Sequence, residues 1–380
     1  MVVPAAAPVS TQRSASELRR DPLTGIRVIF APERGARPQD FRQTETTHWK
    51  ADGCPFCAGH EEATPAASLV IADPDNPDPD AWRVRVVGNK FPAVTPIDPY
   101  EPFAPSPASP WRGASRRSEG KGYELFEARP LAGGHEVIIE SPYHLSSLCQ
   151  LDTDHITDLF RAYAARIRYW HTVLGIEYVS IFKNVGAAAG ASLLHSHSQL
   201  IATETLPKQV QAIGDRVAQH WANTGCCLQC DILRGELSDG RRVIAKSDHF
   251  VAYCPFAGRV PYLIRVVPRV HADRFEEADD AVLADLAQLT HRLVGWLERI
   301  QQPSAYNYTL HTRPPSSTDD ESFHWWMELF PRMTTFAGFE WASDCFINPL
   351  MPETAAAHFR ELARRDDPLQ QRMTPHDFSR

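Results

Sequence analysis

Apolar and polar positions run through the chain in two rounds of similar patterns. Between Asp154 and Leu174 the apolar residues Ile156, Leu159, Phe160, Tyr163, Ile167, Trp170 and Val173 recur at helical spacing, with Gly175 as the stop. Ala281 to Ile300 repeats this, with Leu283, Leu286, Leu289, Leu293, Trp296 and Ile300 on one side. Short apolar runs bounded by turn residues predict strands at Ile26–Phe30, Trp82–Val87, Glu136–Glu140 and Tyr178–Phe182. A second set follows: VIAKSDHFVAYCPF as strand-turn-strand, PYLIRVVP, and Tyr306–His311. Residues 1–20 carry no such pattern and read as a flexible arm. Asp73 to Asp80 reads as a linker, and residues 97–121, rich in Pro, Ser and charge, as a mobile excursion.

The two rounds align element for element. CPFC answers to CLQC, ESPYH to VPRVH, helix to helix, and LHSHSQL to FHWWMEL. His144 and His195 stand 51 residues apart, and His271 and His324 stand 53 apart. Unrelated positions rarely keep such an interval, so the chain is read as a duplicated α+β unit. The boundaries are an arm at 1–20, a first half at 21–204, a second half at 205–352, and a C-terminal helix and tail at 353–380.

Size and charge narrow the function. At 380 residues with formal charge −8 and no basic block, the chain is not built for wholesale binding to nucleic acid or an anionic membrane. No apolar run approaches a membrane span, and the N-terminus lacks the pattern of a signal peptide, so a cytoplasmic location is expected. In a reducing compartment, Cys54-x-x-Cys57 and Cys227-x-x-Cys230 point to metal or redox work rather than disulfides.

The duplication groups the candidate ligands. Each half offers a CxxC, a histidine after a strand-ending proline and a histidine on the last strand. The sets are Cys54, Cys57, His144 and His195, and Cys227, Cys230, His271 and His324. Two thiolates and two neutral imidazoles suit a tetrahedral, structural zinc with no open position. Cys226 competes as a ligand in the second set, whereas Cys149, Cys254 and Cys345 have no partner pattern and read as small core residues.

The alternating run His195-Ser196-His197-Ser198-Gln199 follows a loop of small residues, Gly186 to Ser192. In an extended strand His195, His197 and Gln199 share one face, and the loop before them can bring backbone N–H groups close to an anion. With His195 on a metal, His197 is the free imidazole, competent to attack phosphorus and carry a covalent intermediate. Gln199 cannot supply a proton but can donate to a phosphate oxygen, which suits a leaving group that departs as an anion. The second half has Trp326 and Glu328 in these places, so one working centre per chain is expected. Arg34 and Arg37, in a loop after the first strand, suit a phosphate as well.

DPLTG…APERGARP, CPFC, GNKFPA, ESPYH, N-x-G…GAS…HSHSQ and AGFEW…INP resemble the galactose-1-phosphate uridylyltransferase family, a branch of the histidine-triad superfamily. The resemblance covers nearly the whole chain. It implies two histidine-triad-like halves forming one mainly antiparallel sheet with packed helices, usually as a dimer. It further implies that His197 takes up the nucleotidyl group and Gln199 contacts the transferred phosphate. Asn184, Gly190 and Ser192 would line the phosphate site, and Asn89, Lys90 and Phe91 would lie beside the nucleoside. Arg34 and Arg37 would reach the nucleotide sugar from a neighbouring subunit, and Glu340 would lie near the sugar hydroxyls.

The implied reaction is ping-pong, with UDP-glucose and a second hexose 1-phosphate as the leading substrates. HSHSQ, CCLxC and GFE…CFINP look more like the adenylyl-transferring relatives, which use ADP-glucose and inorganic phosphate. A non-enzymatic, zinc-scaffolded binding module is the reading from another class, and the acidic charge speaks against it as a nucleic-acid binder.

Overall fold

In the computed structural model, residues 16–36, 53–97 and 130–366 are described, except 303, 316 and 318–320. In chain order the strands of the first half are β1 (Glu17–Arg20), β2 (Arg27–Phe30), β3 (Ala67–Ala72), β4 (Trp82–Gly88), β5 (Thr95–Pro96), β6 (Ala132–Ile139), β7 (Tyr178–Val185) and β8 (His197–Thr203). Helix α1 (Thr153–Thr172) separates β6 from β7. The second half begins with helices α2 (Lys208–Thr224) and α3 (Leu228–Asp239), then β9 (Val243–Lys246), β10 (Phe250–Tyr253) and β11 (Ile264–Pro268). Helix α4 (Asp280–Ile300), β12 (Tyr306–His311), β13 (Trp326–Pro331), α5 (Gly338–Ser343), β14 (Cys345–Asn348) and α6 (Pro352–Asp366) complete it.

The strand order of the large sheet is β3-β4-β6-β8-β7-β12-β13-β11-β10-β9, with β5 paired parallel to β6 outside this path. Read from either edge the order is the same, which is the duplication in three dimensions. The halves meet where β7 and β12 pair antiparallel, Asn184 opposite Asn307. Helices α1 and α4 cover one face, each opened by an aspartate side chain, Asp152 or Asp279, accepting from a first-turn N–H. Their apolar stripes close the main core around Ile156, Leu159, Ile167, Leu286, Leu289 and Leu293. The other face carries the candidate chemistry. In the second half it is covered by α2, α3 and the turn at Leu23.

Most elements match the sequence pattern within a few residues. Helices α2 and α3 were not predicted, and α3 opens at the second CxxC, with Cys227 as its N-cap residue. Glu17–Arg20, placed in a flexible arm by sequence, is a strand: β1 pairs with β2, β2 pairs in parallel with β14, and Arg19 is buried against Glu353 and Phe256. This small sheet also ties the start of the first half onto the second, since the Asp21 carboxylate meets Arg265 of β11. Residues 98–121 of the expected excursion and Arg37 lie outside the described residues. Among the described residues no helix is long and apolar enough to cross a membrane.

Candidate active site

Strand β8 is central in the first half, between β6 and β7, with Val137 and Phe182 opposite Gln199. His195 stands just before the strand and His197 at its first position, and both rings meet the Phe56 ring, at 5.8 and 5.3 Å. The shared face predicted for the alternating run is therefore present. Ser196 and Ser198 turn the other way, into a buried polar cluster beneath the strand. There Lys183 Nζ donates to Ser196 Oγ at 2.9 Å and to the His197 carbonyl at 3.2 Å, and is paired with Glu140. Tyr163 donates to Ser198 Oγ at 2.7 Å and touches the Tyr308 hydroxyl. Both Lys183 and Glu140 are fully buried, so their charges are met by each other and by these hydroxyls.

The two histidines are assigned their tautomers by carbonyl groups, which can only accept. His195 Nε2–H donates to Ser141 O at 2.8 Å, leaving Nδ1 facing Cys54 and Cys57 Sγ, each at 3.5 Å. His197 Nδ1–H donates to His195 O at 2.7 Å, leaving the Nε2 lone pair free, with no partner among the described residues. Burial lowers the His197 pKa from its ordinary value and the Lys183 charge presses the same way, so the ring is neutral at neutral pH. Burial also holds His195 down, at about 4.

Cys57 Sγ and His144 Nδ1 lie 3.6 Å apart, and in the second half Cys230 Sγ lies 3.6 Å from His271 Nδ1 and 3.4 Å from His324 Nδ1. A tetrahedral ion with bonds of about 2.3 Å to sulfur and about 2.0 Å to nitrogen would set such edges at about 3.5 Å. Each set of four has all its ligand atoms within 4.8 Å of one another. Both sets can hold a metal ion, and Cys226 is outside the second. Cys254 is a buried core residue as expected, while Cys149 and Cys345 are half-buried.

Between β7 and β8 the small-residue loop folds back over Asn184. Gly186 has φ +78°, and a Cβ there would come 2.7 Å from Ser304 O, so no other residue fits without displacing backbone. Asn307 of β12 donates to Asn184 Oδ1 at 2.8 Å and to Ala189 O at 3.0 Å, which fixes both the amide and the loop. A cavity of about 230 Å³ opens here, lined by Asn184, Gly186, His195, His197, Ser147 and Glu298 among others. Gly190 and Ser192 lie exposed on the same loop. Asn89, Lys90 and Phe91 form the turn after β4, with Phe91 83% exposed at its tip.

Arg34 and Glu340 are elsewhere. Arg34 is in the helical turn after β2, and Glu340, in α5 just before β14, accepts from Ala337 N–H at 2.9 Å, so both flank the small sheet that packs on the second half. No described contact joins either to His197 within one chain. Around α5 Phe339 and Trp341 are exposed, at 47% and 80%. Sequence reasoning missed His135, Asn307 and the Lys183–Glu140 pair. His135 and Asn307 act from strands whose neighbours the sequence does not reveal; Lys183 directly precedes Asn184, and only its burial marks it.

The geometry is that of an imidazole with one ring nitrogen unpartnered among the described residues, on a strand face that also carries side-chain amides, next to four side chains that could hold a metal ion. Comparison with known proteins agrees. The family described as "Galactose-1-phosphate uridyl transferase, N-terminal domain" matches residues 8–207, and a family described as a domain of unknown function, DUF4921, matches residues 124–367. The chain is 34% identical over 358 residues to the ADP-glucose phosphorylase of Arabidopsis thaliana, spanning 93% of this chain and 95% of that protein. It is 25% identical over 355 residues to the galactose-1-phosphate uridylyltransferase of Thermotoga maritima, spanning 91% and 98%. Among solved structures, the Arabidopsis thaliana ADP-glucose phosphorylase with bound ADP-glucose superimposes with a TM-score of 0.74 and 32% identity, covering 91% of this chain and 99% of that one. The chain belongs to the galactose-1-phosphate uridyl transferase family, whose members are nucleotidyltransferases and phosphorylases of nucleotide sugars.

Proposed function

We propose that the protein transfers an adenylyl group from ADP-glucose to inorganic phosphate through a covalent intermediate on His197. The orientation of the His197 ring carries the reading: Nδ1–H is committed to the His195 carbonyl at 2.7 Å, which leaves Nε2 as the nucleophile. Its lone pair attacks the α-phosphorus, an N–P bond forms, and the bond to the bridging oxygen breaks. Glucose 1-phosphate leaves as an anion and takes no proton, consistent with an amide at Gln199 rather than an acid. Phosphate then attacks the same phosphorus, the N–P bond breaks, and the His197 lone pair is restored. Asn184 and Gln199 supply amide N–H groups to the phosphoryl oxygens, where charge builds.

Adenylyl rather than uridylyl transfer is favoured by the 34% identity to an ADP-glucose phosphorylase over nearly the full chain. The second reading, UDP-glucose with a hexose 1-phosphate as acceptor, is supported by the uridylyltransferases at 25% identity. Zinc is the metal we assign to the two Cys2His2 sets. When bound it supplies a rigid, closed structural centre. In the first set it would fix His195 and, through the His195 carbonyl, the ring of His197. We further assign Arg34 and Glu340 to the site of a partner copy in a homodimer, because they flank the small sheet away from their own chain's nucleophile, and Glu340 stands between exposed Phe339 and Trp341.

The test is exposure of the protein to ADP-glucose or UDP-glucose without acceptor, denaturation at alkaline pH, and intact mass. An adenylyl adduct with ADP-glucose that is absent from His197→Ala is the expected result. A uridylyl adduct alone would favour the second reading, and no adduct with either donor would refute both.

A further inference from the structure

His135 sits on β6, directly opposite Ile201 and diagonal to Gln199, so its ring stands on the open face of the sheet with His197 and Gln199. Three contacts define its chemistry. Ala93 N–H lies 3.1 Å from Nδ1, Gln199 Oε1 lies 2.8 Å from Nε2, and the His135 carbonyl accepts from Asn89 N–H at 2.8 Å. A backbone N–H can only donate, so Nδ1 must carry the lone pair and Nε2 the proton. Nε2–H then donates to Gln199 Oε1. Asn89 Nδ2 is also 3.1 Å from Nε2, but Asn89 Oδ1 is held by Phe91 N–H at 2.8 Å, so this is one donor facing another and not a hydrogen bond.

The consequence falls on Gln199. A glutamine amide can turn either its oxygen or its NH2 group to a phosphate, and only the NH2 end helps. With its oxygen held by His135, the NH2 end is the one left over, and no described residue accepts from it. Asn184 is treated alike on the neighbouring strand, where Asn307 holds its Oδ1 at 2.8 Å. Both amides beside His197 thus have their oxygens occupied from behind and their N–H groups unspent.

We propose that His135 is a positioning residue for nucleotidyl transfer: its Nε2–H sets the Gln199 amide with its NH2 toward the transferred phosphoryl group, while its Nδ1 anchors the loop from Asn89 to Ala93. The proposal rests on the function proposed above. It adds a residue that acts on the rate of transfer through Gln199 rather than by touching substrate.

Two substitutions separate the two ring nitrogens. His135→Asn offers an oxygen near the Nδ1 position and keeps an acceptor for Ala93, but has nothing to reach Gln199. His135→Gln places an N–H near the Nε2 position and keeps the hold on Gln199. The measurement is the single-turnover rate and donor concentration dependence of adduct formation on His197, with ADP-glucose and with UDP-glucose, alongside the melting temperature of each variant.

His135→Asn is expected to slow adduct formation about 10- to 100-fold, somewhat less than the loss of a whole oxyanion donor. Half-saturation by the donor should stay within about twofold, and His135→Gln should recover most of the rate. Added to Gln199→Ala, His135→Asn should cost nothing further, because one acts through the other. Unchanged rate in His135→Asn, losses that multiply in the double variant, or a His135→Gln as slow as His135→Asn would each overturn the proposal. If His135→Asn does not fold, His135→Ala takes its place, and it must slow adduct formation, alone but not on top of Gln199→Ala, for the proposal to stand. Wild-type protein that takes up no nucleotide from either donor refutes the function itself, and the proposal falls with it. Wild-type labelling with a fast His135→Asn refutes the proposal alone.

Discussion

Where β8 carries His197 and Gln199, β13 carries Trp326 and Glu328; where β6 places Val137 opposite Gln199, β11 places Arg265 opposite Glu328. The metal-ligand sets are alike, and the strands run in the same order from each edge. On the open face of the first half a free imidazole borders a cavity. In the second, Trp326 stacks on His311 with centroids 4.5 Å apart, and Arg265 pairs with both Glu328 and Asp21, which closes the space. Beneath the sheet the contrast reverses. Lys183, Glu140 and Ser198 form a buried polar cluster below His197, whereas Leu310 and Met327 pack below Trp326. Two halves with the same strand order and like ligand sets thus present different faces. The difference is that His197 borders a cavity with a ring nitrogen unpartnered among the described residues, whereas Trp326 is packed on His311 and Glu328 is paired with Arg265. The second half still serves the first, because Asn307 orients Asn184 across the β7–β12 seam.

The comparison can be broken most sharply at the nucleophile. His197→Ala should lower turnover by about 10⁴-fold or more while keeping its metal, whereas Trp326→His should not raise labelling above one nucleotide per chain. Turnover, metal content and adduct stoichiometry check both. A second reactive site in Trp326→His would mean that the salt-bridged face is more open than its contacts indicate.

Next in size are the two metal sets. Cys57→Ser and Cys230→Ser should each lose one metal ion and melt about 5–15 °C lower. Only Cys57→Ser should also slow turnover about 10- to 100-fold at a temperature where both are folded, because His195 holds His197 through its carbonyl. Equal losses of activity would show that the second set reaches the site too.

Arg265→Met should destabilise the fold by about 3–5 kcal/mol in denaturant titration, since it takes the shared buried guanidinium from Asp21 and leaves Glu328 only the longer contact to Arg259. The nucleotidyl-labelling rate of the protein that remains folded should be unchanged. A cost below about 1 kcal/mol would mean that water reaches the cluster.

The smallest effect is in acid. Burial alone would raise the pKa of Glu328, yet Arg265 and Arg259 hold it down, at about 2. A carboxylate with a folded pKa below its unfolded value of about 4.3 contributes stability above that value and loses it as pH falls toward the folded one. The melting temperature of wild type should therefore fall more steeply from pH 5 to pH 2 than that of Glu328→Gln. Parallel curves would remove this pair from the acid response.

Local patterns determined a good deal of this protein. Helical spacing located α1 and α4, the paired intervals between histidines exposed the duplication, and two copies of CxxC with two histidines identified both ligand sets. Strand alternation placed His197 and Gln199 together, because a period of two needs no knowledge of neighbouring strands. Only the tertiary structure decided what surrounds them. His135 is 64 residues from Gln199, and Asn307 is 123 from Asn184, so cross-strand register alone makes them partners. Glu17–Arg20 carries no strand signal of its own and becomes a strand by pairing with β2. Arg34 and Glu340 read as site residues in sequence, yet the turns flanking the small sheet hold them away from His197 of their own chain. Composition and spacing fix which groups can react, but the direction in which each amide and imidazole presents its proton is set by contacts that close only when the chain folds.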